Sequence, residues 1–81
     1  MAILTGKIID AETKAPLAFI NVAVDGKIDI TDKNGVYVIE DLPEGEYFLR
    51  IRAPFYEPYT DLVYVREPKT VKNISLRTTH L

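Results

Sequence analysis

Along the chain, apolar side chains recur at every second residue in short runs, and no run repeats them at helical spacing. Ile20, Val22 and Val24 share one parity, as do Tyr37 with Ile39, and Tyr47 with Leu49 and Ile51. Successive side chains of a strand point to opposite faces, so each such set lines one face of a strand. β-Branched and aromatic residues fill these runs, which predicts strands at about residues 3–10, 18–25, 27–31, 36–40, 46–53, 61–67 and 70–77. The class is all-β. Leu4 and Ile8 of the first strand and Ile74 and Leu76 of the last complete the expected core.

Turn chemistry separates the runs. Asp25-Gly26 suits a tight hairpin with positive φ, and Asn34-Gly35 offers the same before the fourth strand, with Asp32 just ahead of it. Leu42-Pro43-Glu44-Gly45 joins a residue that cannot donate to a ladder with one that tolerates positive φ, so the chain turns a corner there. Asp32, Asn34, Gly35, Pro43 and Gly45 are therefore the expected structural turn residues. Pro16 breaks the first connection, and Pro54, Pro58 and Pro68 bound the sixth strand. Seven short strands at this spacing favour a sandwich of two sheets over one exposed sheet.

With 81 residues the chain has room for one core, so residues 1–81 read as a single domain. There is no cysteine, and the fold must rest on packing without disulfides or thiolate metal sites. Lys plus Arg number 10 against 12 Asp plus Glu, interspersed along the chain, so no basic stripe marks a nucleic-acid footprint. Apolar runs such as Leu17 to Ile20, none longer than four residues, are too short for membrane insertion, and the first residues lack the apolar stretch and cleavage site of a signal peptide.

Candidate chemistry is sparse. His80 is the only histidine and sits in the tail, and Ser75 is the only serine, too close along one extended segment to meet it as nucleophile and base. Asp29, Asp32 and Asn34 with Gly35 have half the pattern of a calcium loop, but Ile30 takes an oxygen ligand's place and no bidentate Glu follows. A turn is the better reading. Asn73-Ile74-Ser75 fits a glycosylation sequon inside a predicted strand, a pattern that arises often by chance. No catalytic residue, metal or cofactor is expected.

Thr31-Asp32-Lys33-Asn34-Gly35-Val36-Tyr37, continued through Leu42-Pro43-Glu44-Gly45-Glu46-Tyr47, resembles a carboxypeptidase regulatory-like domain. Gly6-Lys7-Ile8-Ile9-Asp10-Ala11-Glu12-Thr13, then Pro16-Leu17 and Asn21-Val22, resemble that family's first two strands. Phe55-Tyr56-Glu57 stands where the family has Gly-Tyr-Glu. The resemblance implies a seven-stranded, prealbumin-like (transthyretin-like) Greek-key β-sandwich of three plus four strands. The first, fourth and seventh strands would share one sheet, and the second, third, fifth and sixth the other. If the family's Gly is needed for positive φ, Phe55 implies a different turn between the fifth and sixth strands.

Related enzymes and crosslinked domains are excluded by missing residues. Transthyretin-like hydroxyisourate hydrolases need several histidines and a Tyr-Arg-Gly-Ser tail, whereas this chain ends Arg77-Thr78-Thr79-His80-Leu81. Collagen-adhesin B-type repeats use an acid to form a Lys-Asn isopeptide bond. Here Ile51 takes the place of the acid and Ile8 that of the lysine.

The expected function is a non-catalytic structural or protein-docking module of a larger exported or cell-surface protein. By the resemblance it lies outside the cytoplasm, in the periplasm or at the cell surface. The alternatives are a free-standing assembly protein, such as a virion or surface decoration, and a carbohydrate-binding module. Partners would be a protein or a neighbouring domain, with self-association open and neither nucleic acid nor membrane insertion expected. Parity leaves Phe19 in the second strand and Phe48, Arg50 and Arg52 in the fifth facing outward, the candidate interaction face. Either Leu62, Tyr64 and Arg66 or Asp61, Val63 and Val65 would extend it, depending on register.

Overall fold

The computed structural model describes residues 1–79. Its strands are β1 (Ala2–Asp10), β2 (Asn21–Val24), β3 (Lys27–Ile30), β4 (Val36–Leu42), β5 (Gly45–Arg52), β6 (Tyr59–Val65), β7 (Lys69–Val71) and β8 (Ile74–Leu76). One sheet has the order β4-β1-β7, with β8 also paired to β1, and the other the order β3-β2-β5-β6. This is the division of strands that the resemblance implies. β1 is central to the first sheet, antiparallel to β4 and parallel to β7 and β8.

The core follows the alternation. Leu4, Ile8, Val22, Val24, Tyr37, Ile39, Leu49, Ile51, Ile74 and Leu76 are buried between the sheets, while Ile20 and Tyr47 are half-buried against them. Ala2 and Leu42 are also buried, outside the expected core, and Val63 and Val65 are buried in one of the two registers left open for the sixth strand. Leu42 joins because β4 runs two residues past its expected end and its register against β1 shifts around Asp41, whose φ is 59, so that Leu42 and not Asp41 turns inward.

The expected single last strand is two, which makes eight strands in place of seven. The break is at Lys72 and Asn73, where the chain crosses Gly6 of β1. The Lys72 N–H donates to the Thr5 carbonyl at 2.8 Å, and its carbonyl accepts the buried Tyr37 hydroxyl at 2.6 Å. The Asn73 Oδ1 accepts the Lys7 N–H at 3.0 Å, so a side chain replaces a ladder bond across the break. Asn73 therefore lies between strands, not within one.

The second strand also starts later than expected. Phe19 has φ 60, which takes the chain out of the extended region before Asn21. Thr31, buried to 1% exposure, holds this irregular stretch: its hydroxyl donates to the Leu17 carbonyl at 2.7 Å and accepts the Ile20 N–H at 2.8 Å. The sixth strand is shifted two residues toward the N-terminus, starting at Tyr59 and ending at Val65. Beyond Val65, side chains take over from the ladder: the Thr70 hydroxyl accepts the Arg66 N–H at 2.9 Å and Glu44 Oε2 the Glu67 N–H at 2.8 Å.

The turns follow their sequence chemistry with one correction. Asp25 and Gly26 both have positive φ in the β2–β3 hairpin, as a two-residue loop requires. Before β4 only Gly35 does, with φ 79, and Asn34 does not. Asp32 supplies the rest, its Oδ1 accepting the Asn34 and Val36 N–H groups at 2.8 and 3.0 Å. At the corner Gly45 has φ 154, and the Tyr47 hydroxyl donates back to the Pro43 carbonyl, which pins the crossing from one sheet to the other. On the side where β3 faces β4, the Asp29 Oδ2 accepts the Val38 N–H at 2.7 Å. The Lys27 Nζ there donates to the Glu40 and Asp41 carbonyls at 2.9 and 2.8 Å. These two side chains satisfy groups that an open sheet edge would offer to another strand.

Candidate docking face

Register decides which side chains share the outer face of the second sheet. Along β5, Leu49 and Ile51 point inward, so Glu46, Phe48, Arg50 and Arg52 point outward. Phe48 lies opposite Leu62 of β6, Arg50 lies between Ala23 of β2 and Thr60 of β6, and Arg52 lies opposite Asn21. Glu46 faces Tyr64, whose ring carries the Arg66 guanidinium at 4.9 Å from its centroid. The register thus selects Leu62, Tyr64 and Arg66, and Val63 and Val65 are core.

Phe48, Arg50 and Arg52 occupy the positions expected of them. Phe19 does not: it is exposed, but it precedes β2 with φ 60, and no strand register sets it beside Phe48. Two residues of the face were missed. Ile28 and Ile30 of β3 lie opposite Ala23 and Asn21, and both are more than half exposed. The alternation Ile28-Asp29-Ile30 was the sequence signal, but a strand with apolar residues on one parity ordinarily turns them inward. Here Asp29 and Lys27 take the inward parity because they reach across to β4.

The polar clusters elsewhere serve the fold. Asp10, 7% exposed, accepts the Thr13 and Glu12 N–H groups and the Tyr56 hydroxyl. The amide of Thr13, first, then the Tyr56 hydroxyl and the Glu12 amide hold its carboxyl below the ordinary range. Lys72 pairs with Asp61 at 2.8 Å, and the Tyr59 hydroxyl donates to the same oxygen at 3.1 Å. This pairing lowers the Asp61 pKa and raises that of Lys72, so both stay charged. Asp29 and Asp32 point their oxygens at backbone N–H groups, as a turn and a strand edge require. Among the described residues no group of three or more His, Asp or Glu could hold a metal ion, and no helix is long and apolar enough to cross a membrane. His80 lies outside the described residues.

Comparison with known proteins agrees with this architecture. The fold is similar to BcpA, the major pilin subunit of Bacillus cereus, with a TM-score of 0.78 and 18% identity over 96% of this chain and 30% of that one. It is similar to the group B streptococcus pilus 2b backbone protein, with a TM-score of 0.78 and 16% identity over 94% and 40% of the two chains. It also resembles a chain in a type II cohesin–X-dockerin complex from Acetivibrio cellulolyticus, with a TM-score of 0.72 and 25% identity over 91% and 53%. The chain spans about a third to a half of the length of these proteins. No curated protein gives a significant sequence match. The family model of the carboxypeptidase regulatory-like domain matches residues 3–77, and the chain belongs to that family.

Proposed function

We propose that this domain is a non-catalytic structural and docking module of a larger exported or cell-surface protein, and that it makes contact through the outer face of its second sheet. The observation that carries this reading is the row formed by Phe48 and Leu62 directly across β5 and β6. Tyr64, Ile28 and Ile30 stand on the same face, each more than half exposed. Exposed apolar side chains gathered on one face in this way mark contact surfaces, and aromatic residues with Arg dominate the energetics of such surfaces. The similar folds found in pilin subunits and in a cohesin–dockerin assembly support a structural role outside the cytoplasm.

The test places a photocrosslinking benzoylphenylalanine at position 48 and, in a separate variant, at Val38 on the outer face of the first sheet, in the parent protein expressed in its own cell. A defined crosslinked species from position 48 and none from position 38 is expected. Equal crosslinking from both positions, or none from 48, would overturn the reading.

A further inference from the structure

One end of the docking face differs from the rest. Arg50 and Arg52 project from the same side of β5, about 7 Å apart as alternate residues of a strand are. Their cross-strand neighbours are Ala23, Thr60 and Asn21, none of them acidic. The carboxylates of the adjoining strands have the opposite parity: Asp29 is held at the Val38 N–H and Asp61 is paired to Lys72. Among the described residues the ion pairs are Met1 with Glu67 and Lys72 with Asp61, so both guanidinium groups are left without a carboxylate. This occurs on a chain whose net charge is −2.

The short side chains of Ala23 and Asn21 leave a groove of about 440 Å³ beside the two arginines, with Pro58 and Thr60 on its far side. Ile28 and Ile30 border it across β2, and Phe48 with Leu62 adjoin it along β5. A planar guanidinium takes a carboxylate in paired hydrogen bonds. An exposed ion pair alone contributes little, so useful binding here needs apolar contact beside the charges to exclude water. A second copy docking with this end of the face on the two-fold axis would set Arg50 and Arg52 against their own equivalents, which disfavours a symmetric pair centred there.

We propose that this end of the face receives an acidic segment of a partner protein. The segment is an extended stretch that presents two carboxylates at alternate residues to Arg50 and Arg52 and an apolar side chain to Phe48 and Leu62. The proposal rests on the docking reading above and adds the chemistry of the partner.

Fluorescence anisotropy with a dye-labelled peptide Ser-Glu-Val-Glu-Val-Ser and its Gln-for-Glu counterpart provides the test. The Glu peptide should bind, weaken with added salt, and lose at least about tenfold in affinity in the Arg50→Gln/Arg52→Gln variant. Phe48→Ser should weaken it as well, and the Gln peptide should bind much less. No binding of the Glu peptide, equal binding of the two peptides, or indifference to the Arg substitutions would overturn the proposal. Equal capture of polyglutamate by parent and Phe48→Ser would also overturn it, as mere attraction of polyanions. Loss of self-association in sedimentation on substituting the arginines would do so too, assigning the patch to a second copy. The position-48 crosslink, repeated in the Arg50→Gln/Arg52→Gln background, separates the two readings. If it persists undiminished, the docking face stands and the acidic partner does not.

Discussion

Gly6 lies so close to Lys72 that a β-carbon on it would stand 1.9 Å from the Lys72 carbonyl oxygen and 2.6 Å from the carbonyl carbon. These are backbone atoms of the strand break, and the same oxygen accepts the Tyr37 hydroxyl. Gly6→Ala must either push the break off β1 or strand that buried hydroxyl. A destabilisation of about 2 kcal/mol or more is expected from overpacking and the lost bond. A urea midpoint equal to the parent's would show that the close approach is not required.

Gly35 and Gly45 both adopt backbone angles that disfavour side chains, with φ 79 and 154. They differ in surroundings. A β-carbon at Gly35 would meet the Ile8 carbonyl oxygen at 2.6 Å, whereas at Gly45 it would meet nothing within 4 Å. Alanine at either position should cost about 1 kcal/mol or more, with the larger loss at Gly35. An unchanged or raised denaturation midpoint in both variants would refute the turn assignments.

Phe55 stands where the family has Gly, and the structure turns there without departing from what a Gly would do: Phe55 itself takes φ 71. Its ring is 82% exposed, so little packing offsets the strained backbone. Phe55→Gly should leave the fold intact and raise stability by up to about 1 kcal/mol, the relief exceeding the entropy that Gly adds to the unfolded chain. A lower thermal midpoint in the variant would mean that the ring makes contacts worth more than the strain.

Acid should weaken the fold through Asp10. Its carboxyl titrates below the ordinary range in the folded state because two amides and the Tyr56 hydroxyl favour the charged form. The resulting stability is therefore present above the unfolded value, near pH 4, and is lost as pH falls through the lower folded value. Asp10→Asn should be less stable than the parent at about pH 7, and the gap should shrink at about pH 3. Urea midpoints at the two pH values measure it, and a gap independent of pH would exclude the linkage.

No internal amide crosslink should form. Ile8 and Ile51 are buried apolar side chains at the places where such chemistry would need an amine and an acid. Lys72 and Asp61 do touch, but their shifted titrations keep both ionised, the unreactive state for amide formation. Intact mass spectrometry should give the sequence mass, and a deficit of one water or one ammonia would contradict this.

Core parity was legible because alternation is a local property: Val22 with Val24 and Leu49 with Ile51 are inward in the sequence pattern and in the structure alike. The assignment of strands to sheets came from the family resemblance. What could not be read depends on where one strand meets another. The break at Lys72 exists because it faces Gly6, more than sixty positions away in sequence. A lone Gly inside a strand was its only local sign. Of the candidate docking face, the outward placing of Phe48, Arg50 and Arg52 followed from parity on β5. Phe19 failed because its positive φ lies outside any strand pattern, and Ile28 and Ile30 were hidden because their strand turns its charged side inward.

β1 and the β7–β8 segment run parallel and side by side, with Ile3 beside Lys69 at one end and Asp10 beside Leu76 at the other. The chain therefore enters the domain at one end of this pair and leaves it at the opposite end. Tension applied through the two ends pulls β1 one way and its neighbours the other, along their shared length. Such a load falls together on the bonds that β1 makes with β7 and with β8, on either side of the break at Lys72 and Asn73, and they cannot open one after another as in a zip. Placed between two other segments of a longer chain, the domain would transmit force along its strands and yield only when both pairings of β1 shear together.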